Sequence, residues 1–298
     1  DRMASILTLT ANTLIDCLAT GQVRPSKVNR VDQFELVAGG KGLNAGRVLA
    51  SFGHRVVAAG FAGGWSGELL KERVQANGME PMLVPTEART RIGFNVAGSE
   101  GGIAFLENGF KVRPEEARAL VEAIRGRLES VQLVLVSGSI PDESCVGLYA
   151  TVLDACAQAK VPCWLDAYGP ALQKALARPS PPSLVKCNRD EYGDGRGFDV
   201  CPELHVTDGA KEVEVRTPGA HFEIVPPKLN ERSAIGSGDC YFAALAHARL
   251  TGLPEAEQLR WAAAAGAANA AMGATARIGL ADVEPWLAKV GVSRRLDA

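Results

Sequence analysis

VQLVLVSGSIPDESCVGLYATVLDACAQAKVPCWLDA, residues 131–167, reads as a strand, a helix and a second strand in one continuous unit. Its first run, VQLVLVSGS (131–139), and its last, VPCWLDA (161–167), are apolar throughout, as strands are when helices cover both faces of a sheet. Between them LYATVLDACAQAK (148–160) has the length and pattern of a helix. Repeated along a chain, this unit builds a mainly parallel sheet with helices packed on it.

The rhythm extends to both sides. SILTLT (5–10) and RVVAAGFAGG (55–64) read as strands, and KGLNAGRVLASFG (41–53) as a helix closed by Gly53. SGELLKERVQANG (66–78) reads as a helix capped by Ser66 and ended by Gly78, and PEEARALVEAIRGRLES (114–130) as an amphipathic helix opening on Pro114. SLVKCN (183–188) is a strand, EVEVRTPGAHFEIVPP (212–227) a hairpin, and helices follow over roughly 237–251 and 255–272. Two stretches depart from the pattern. Residues 20–38 and 89–107 alternate polar and apolar with period two, which predicts a small antiparallel sheet, either a lid or a dimer surface. No repeat or linker interrupts the 298 residues, so a single α/β domain over 3–298 is expected, with its lid strands at about 20–38 and 89–107.

Hydrophobic residues at 47% supply a sizeable core, and a net charge of -2 gives no reason to expect nucleic acid or an anionic membrane as partner. No apolar run approaches the roughly 20 residues of a membrane span. The opening DRMASILTLT passes straight into a strand pattern, so no signal peptide is expected. Seven scattered cysteines without a C-x-x-C pair fit a reducing cytoplasm better than a disulfide framework, and the four histidines lack ligand spacing.

Two glycine-rich stretches carry chemistry. In AIGSGDCYFAALA (234–246), the amides of Gly236, Ser237 and Gly238 can form a nest for an anion at a helix start. Asp239 then reads equally as a proton acceptor or as a favourable first-turn charge worth about 0.5 kcal/mol. AGGKGLNAG (38–46) is not a Walker A loop, because Lys41 is followed by Gly42 and not by a hydroxyl residue. It is not a dinucleotide fingerprint either, since no acid ends the next strand. Gly39 and Gly40 can bring bare amides to a ligand, with Lys41 and Asn44 as polar contacts; a plain turn with a surface lysine reads as well.

Taken together, TLTANTLID (8–16), AGGKGLN (38–44), GFAGGWSG (60–67), TRIG (90–93), SGSIP (137–141), KCNRDE (186–191) and IGSGD (235–239) resemble the ribokinase/PfkB carbohydrate kinases. The order matches the family's, and the subgroup most resembled is the phosphosugar kinases, such as 1-phosphofructokinase and tagatose-6-phosphate kinase. The resemblance implies a ribokinase-like fold and ATP- and Mg2+-dependent phosphoryl transfer to a hydroxyl of a sugar or sugar phosphate. It implies Asp239 as general base and the amides of Gly236, Ser237 and Gly238 as the anion hole. Asp16, Gly39, Gly40, Lys41 and Asn44 would bind the sugar, with Arg91 and Ser139 on its phosphate. Lys186, Asn188, Glu191, Thr207 and Gly209 would serve the nucleotide, with Asn188 and Glu191 holding magnesium through water. A homodimer through the lid is a further expectation.

Several positions depart from the pattern. Cys187 replaces a proline, expected to loosen a turn, and Gly93 stands where the subgroup has Asn. The link 192–204 is short for a crossover with its own helix, and Glu212 replaces a glycine in the nucleotide loop. These two departures favour a binding-only member as one alternative. A kinase for an unphosphorylated sugar or nucleoside is the other.

Overall fold

The computed structural model describes residues 3–21, 27–31, 33–97, 103–273 and 275–295. In chain order the first elements are β1 (Ser5–Thr10), β2 (Leu14–Thr20), β3 (Glu35–Gly39), α1 (Lys41–Ser51), β4 (Arg55–Ala62), α2 (Gly64–Ala76), β5 (Glu80–Pro85), β6 (Arg91–Ala97), β7 (Ile103–Leu106) and α3 (Pro114–Arg125). There follow β8 (Leu133–Ser137), α4 (Leu148–Ala159), β9 (Cys163–Asp166), α5 (Gly169–Leu176), β10 (Leu184–Asn188), α6 (Arg189–Tyr192) and β11 (Leu204–Thr207). The last are β12 (Val213–Thr217), β13 (Ala220–Val225), α7 (Ser237–Leu250), α8 (Glu255–Met272), α9 (Leu280–Leu287) and β14 (Gly291–Arg295).

A ten-stranded sheet runs β14-β13-β12-β11-β10-β9-β8-β1-β4-β5. From β11 to β5 every neighbouring pair is parallel, and the hairpin β12–β13 with β14 closes the far edge antiparallel. The central strands are apolar on both sides because both faces are covered. Side chains of α1, α2, α7 and α8, such as Leu43, Leu70, Phe242 and Leu259, pack on one face. Leu120, Val152 and Leu172, from α3, α4 and α5, pack on the other. The fold is thus the mainly parallel α/β sheet that the strand–helix alternation led to, and the ribokinase-like architecture that the resemblance implied.

A four-stranded sheet, β3-β2-β6-β7, stands apart from the large one. Its outer pairs are antiparallel, but the central pair β2–β6 is parallel, because the excursion through β4, α2 and β5 returns the chain in its original direction. Its first strand begins at Leu14, earlier than the expected residue 20. Parts of the expected lid segments, 22–26, 32 and 98–102, lie outside the described residues.

Other boundaries also differ from expectation. Helix α2 begins after Gly63, which leaves Ser66 inside the first turn and not at the cap; its buried hydroxyl donates to the Thr90 carbonyl at 2.6 Å. The amphipathic run from Pro114 ends as an α-helix at Arg125 and continues as a single 3-10 turn, Leu128–Ser130. Cys187 is no turn residue: it is buried within β10 opposite Val206 of β11. The short 192–204 link still joins parallel strands, using the four-residue α6 and a 3-10 turn whose Phe198 is buried. No helix among the described residues is long and apolar enough to cross a membrane.

Candidate active site

The parallel strands point their C-terminal ends toward one cavity of about 1020 Å³, which the lid strands β2, β6 and β7 wall on one side. Ligands of open α/β sheets bind at those strand ends. Helix α1 starts here and packs hard on β1: a side chain at Gly42 would stand 2.6 Å from the Leu9 carbonyl. That close approach explains why the GGKG stretch needs a glycine after Lys41.

Asp239 sits in the first turn of α7 and is 6% exposed. Asn44 of α1 donates to its Oδ2 at 2.8 Å. Burial raises the Asp239 pKa to about 6, helped by the negative charge of Asp166 and opposed by Asn44, Lys186 and Lys41. A favourable helix charge alone would lie below its ordinary value. A carboxylate held near 6 is ionised at neutral pH yet basic enough to accept a proton.

The turn before it begins at Gly236, whose φ of 83° is left-handed. One expected member of the anion hole is corrected here. The Ser237 amide donates to the Ala234 carbonyl at 3.0 Å, because the turn tightens before the helix, so it is not available to a ligand. The Gly236 and Gly238 amides carry no such bond among the described residues, and both line the cavity. Ser237 Oγ is instead held by Asn269 Nδ2 at 3.0 Å. A side chain at Gly238 would lie 2.7 Å from Lys186 Nζ, which puts that ammonium beside the nest.

Lys186 and Lys41 share a partner that sequence reasoning missed. Asp166, fully buried at the end of β9, accepts from Lys41 Nζ at 3.1 Å and from Lys186 Nζ at 3.0 Å. Lys41 also contacts Glu191 Oε1 at 3.3 Å. Burial works against charge on Lys41, but the Asp166, Glu191 and Asp239 carboxylates outweigh it and raise its pKa. Asn188 and Glu191 form a reciprocal capping box on α6, Glu191 N to Asn188 Oδ1 at 2.8 Å and Asn188 N to Glu191 Oε2 at 2.9 Å. The lone acid closing VPCWLDA was the available signal for Asp166.

Toward the lid, Asn95 Nδ2 donates to both oxygens of Asp16, at 2.7 and 2.8 Å. Asp16 is 8% exposed, and burial raises its pKa despite that bond and the nearby arginines. Gly93 carries no amide side chain, and a Cβ there would meet Leu106 Cδ2 and Leu14 Cδ1, at 2.6 and 2.9 Å, before Asp16 Oδ1 at 3.3 Å. The amide partner therefore comes from Asn95, a residue the motifs did not single out. Arg91 lines the cavity, with Nη1 on the Glu107 carbonyl at 3.0 Å and Nη2 on the Asn12 carbonyl at 3.1 Å. Ser139 Oγ accepts from Asn12 Nδ2 at 3.0 Å. Thr10 Oγ1, Asn12 Oδ1 and Arg91 Nε are buried beneath this wall without a protein partner, out of direct reach of a ligand. Gly40 lines the same space, whereas Gly39 is paired with Leu14 in the lid and does not reach it.

At the far end the walls are mostly small or apolar, with Gly209, Val213, Pro226, Ala263 and Gly266, while Lys228 and Glu231 add two charged groups. Thr207 also lines this end, its hydroxyl donating to the Cys187 carbonyl at 3.3 Å. Glu212, expected to crowd a triphosphate, is exposed and outside the cavity wall. Among the described residues no group of three or more His, Cys, Asp or Glu side chains forms a metal cage.

The model of the pfkB family carbohydrate kinases matches residues 7–277. A possible 1-phosphofructokinase from Thermotoga maritima superposes with TM-score 0.89 at 20% identity, over 98% of this chain and 100% of that one. Phosphofructokinase-2 from Escherichia coli, solved with potassium, gives 0.85 at 23% identity over 96% and 99%. A putative phosphofructokinase from Staphylococcus aureus gives 0.81 at 22% identity over 97% and 99%.

Proposed function

The chain belongs to the pfkB family of carbohydrate kinases, and from that premise we propose that it transfers the γ-phosphoryl of ATP to a hydroxyl of a sugar phosphate, as a 1-phosphofructokinase does. The observation that carries the reading is Asp239: buried, poised near pH 6, and set between a polar lid end and an apolar far end of one cavity. Asp239 accepts the proton of the attacking hydroxyl. The Gly236 and Gly238 amides, the α7 N-terminus and Lys186 stabilise charge on the phosphoryl oxygens as it transfers. Asp16, fixed by Asn95, orients sugar hydroxyls together with Asn44, Gly40 and Lys41.

Arg91 and Ser139 receive the phosphate already on the sugar. A guanidinium has five N–H donors; Nη1 and Nη2 each place one on a carbonyl and Nε is buried, so one N–H on each of Nη1 and Nη2 remains for phosphate oxygens. Engagement of Arg91 with those carbonyls also supports a second reading, in which it braces the lid and the acceptor carries no phosphate. Glu212 no longer motivates a binding-only protein, since it is exposed and not part of the cavity wall.

Glu191 and Asp166 are hard oxygen donors, but both are paired with lysines and neither lines the cavity, so a magnesium ion would reach them only through its own waters. The ion neutralises phosphate charge when bound; Asn188 holds Glu191 in place for it. Thr207 and Gly209 border the nucleotide. The exposed apolar side chains Phe34, Leu36, Phe94, Phe105 and Leu106, all on or beside the lid, fit a homodimer through that sheet. Seven free, buried thiols fit a cytoplasmic location.

The test is a coupled ADP-release assay with ATP and Mg2+ over ketose and aldose phosphates and their unphosphorylated counterparts. Turnover that needs the phosphate supports the first reading. Equal turnover on free sugars supports the second, and no turnover on any acceptor overturns both.

A further inference from the structure

Arg47 follows Asn44 by three residues on α1 and is 6% exposed. Its Nη1 donates to the Thr275 and Ala276 carbonyls at 3.1 and 3.2 Å. Its Nη2 donates to the Ala38 carbonyl and, at 3.3 Å, to Asn44 Oδ1. Ala276 abuts the anion-hole turn, since a Cβ on Gly236 would lie 3.0 Å from the Ala276 nitrogen.

A guanidinium can only donate, so it decides which end of the Asn44 amide faces it. The oxygen turns to Arg47, and the NH2 end turns to Asp239. An ionised Asp239 would select that NH2 end unaided. A protonated Asp239, the state reached once it has taken the hydroxyl proton, can donate to an amide oxygen and turn Asn44 over.

We propose that Arg47 is a positioning residue for the base: by holding Asn44 Oδ1, it keeps the amide NH2 on Asp239 in both protonation states of the carboxyl. Through the Thr275 and Ala276 carbonyls it also keeps the Gly236 turn in register with that carboxyl. Arg47 is not among the residues lining the large cavity, so it acts through Asn44 and not on the substrate. The proposal rests on Asp239 being the base.

The groups around the pair are few. Asp239 is faced by Asp166 from β9, Lys186 from β10, and Lys41 and Asn44 from α1. Arg47 also senses Arg277, Cys240 and Asp16. Burial and then the Arg277 charge lower its pKa to about 10, which leaves it charged at neutral pH.

The experiment reads Asp239 without turnover, from the side-chain carboxyl carbon of 13C-labelled aspartate followed by NMR as pH is varied. The proteins are wild type, Arg47→Lys, Arg47→Met, Asn44→Ala and the Arg47→Met/Asn44→Ala double variant, with kcat and KM measured alongside. Arg47→Met and Asn44→Ala should each move the Asp239 titration upward, and the double variant should move it by clearly less than the sum of the two, because both cut one link and only the direct Arg47–Asp239 attraction adds to it. A purely electrostatic loss of the Arg47 charge would add to the Asn44 effect, and additive shifts overturn the proposal. Arg47→Lys keeps the charge without the fork, so it should shift the titration in the same direction by less, with kcat lowered more than KM is raised. If Arg47→Met does not fold, Arg47→Lys decides: an unmoved titration with lowered thermal stability means Arg47 is only a brace, and overturns the proposal. A shifted titration in a protein that turns over no sugar upholds the positioning of Asp239 and overturns the kinase reading instead.

Discussion

The two ends of the cavity are built differently. At the lid end, side chains hold one another: Asn95 on Asp16 and Asn12 on Ser139. At the far end, glycine, alanine, valine and proline make most of the wall, and its charged side chains are Lys228 and Glu231. Fixed polar groups discriminate between acceptors by the hydrogen bonds they would leave unpaired. A small-residue wall discriminates mainly by shape. Between the ends lie Asp239 and Lys186, with Asp166 buried behind the lysine.

Breaking the middle should cost most. Asp239→Asn keeps the shape and the Asn44 contact but cannot take a proton, so kcat should fall about 10³- to 10⁴-fold in the ADP-release assay with thermal stability near wild type. Near-normal turnover would remove Asp239 as base. Lys186→Met should lower kcat about 10²- to 10³-fold, as loss of one donor to the developing charge does elsewhere. The lid end comes next. Arg91→Ala should raise KM for phosphorylated sugars about 10- to 100-fold with little change in kcat, and leave free sugars unaffected. An equal loss on both acceptors would make Arg91 a brace of the lid. The far end should respond least: Glu212→Gly is expected to change KM for ATP by less than about twofold, because its side chain is outside the wall. A larger change would mean that the nucleotide lies closer to β12 than the cavity suggests.

The same contrast explains what could be read from the sequence. Parallel strands apolar on both faces are a local signal, so the core was legible in 131–167, whereas the GSGD turn in 234–246 marked Asp239 but read equally as base or helix charge until the other motifs stood beside it. Asp166 was not, because its meaning depends on two lysines, Lys41 and Lys186, brought to it from distant parts of the chain. Asn95 was hidden for a similar reason: the parallel register of β2 and β6 carries it to Asp16, and that register follows from the whole β4–α2–β5 excursion. The Ser237 amide failed as an expectation on a finer scale, since motif spacing does not reveal that a tightened turn would engage it. Glu212 misled in the opposite sense, by standing at a motif position while remaining exposed and outside the cavity wall.

The pH dependence of wild-type kcat/KM with a phosphorylated sugar and ATP–Mg2+ tests the central claim most directly. Protonation of Asp239 removes the base, and its pKa of about 6 lies above the ordinary 3.8 because burial and Asp166 disfavour its charge. The rate should therefore be level near neutral pH and fall tenfold per unit below about 6. A profile flat from pH 8 down to 5 would contradict it.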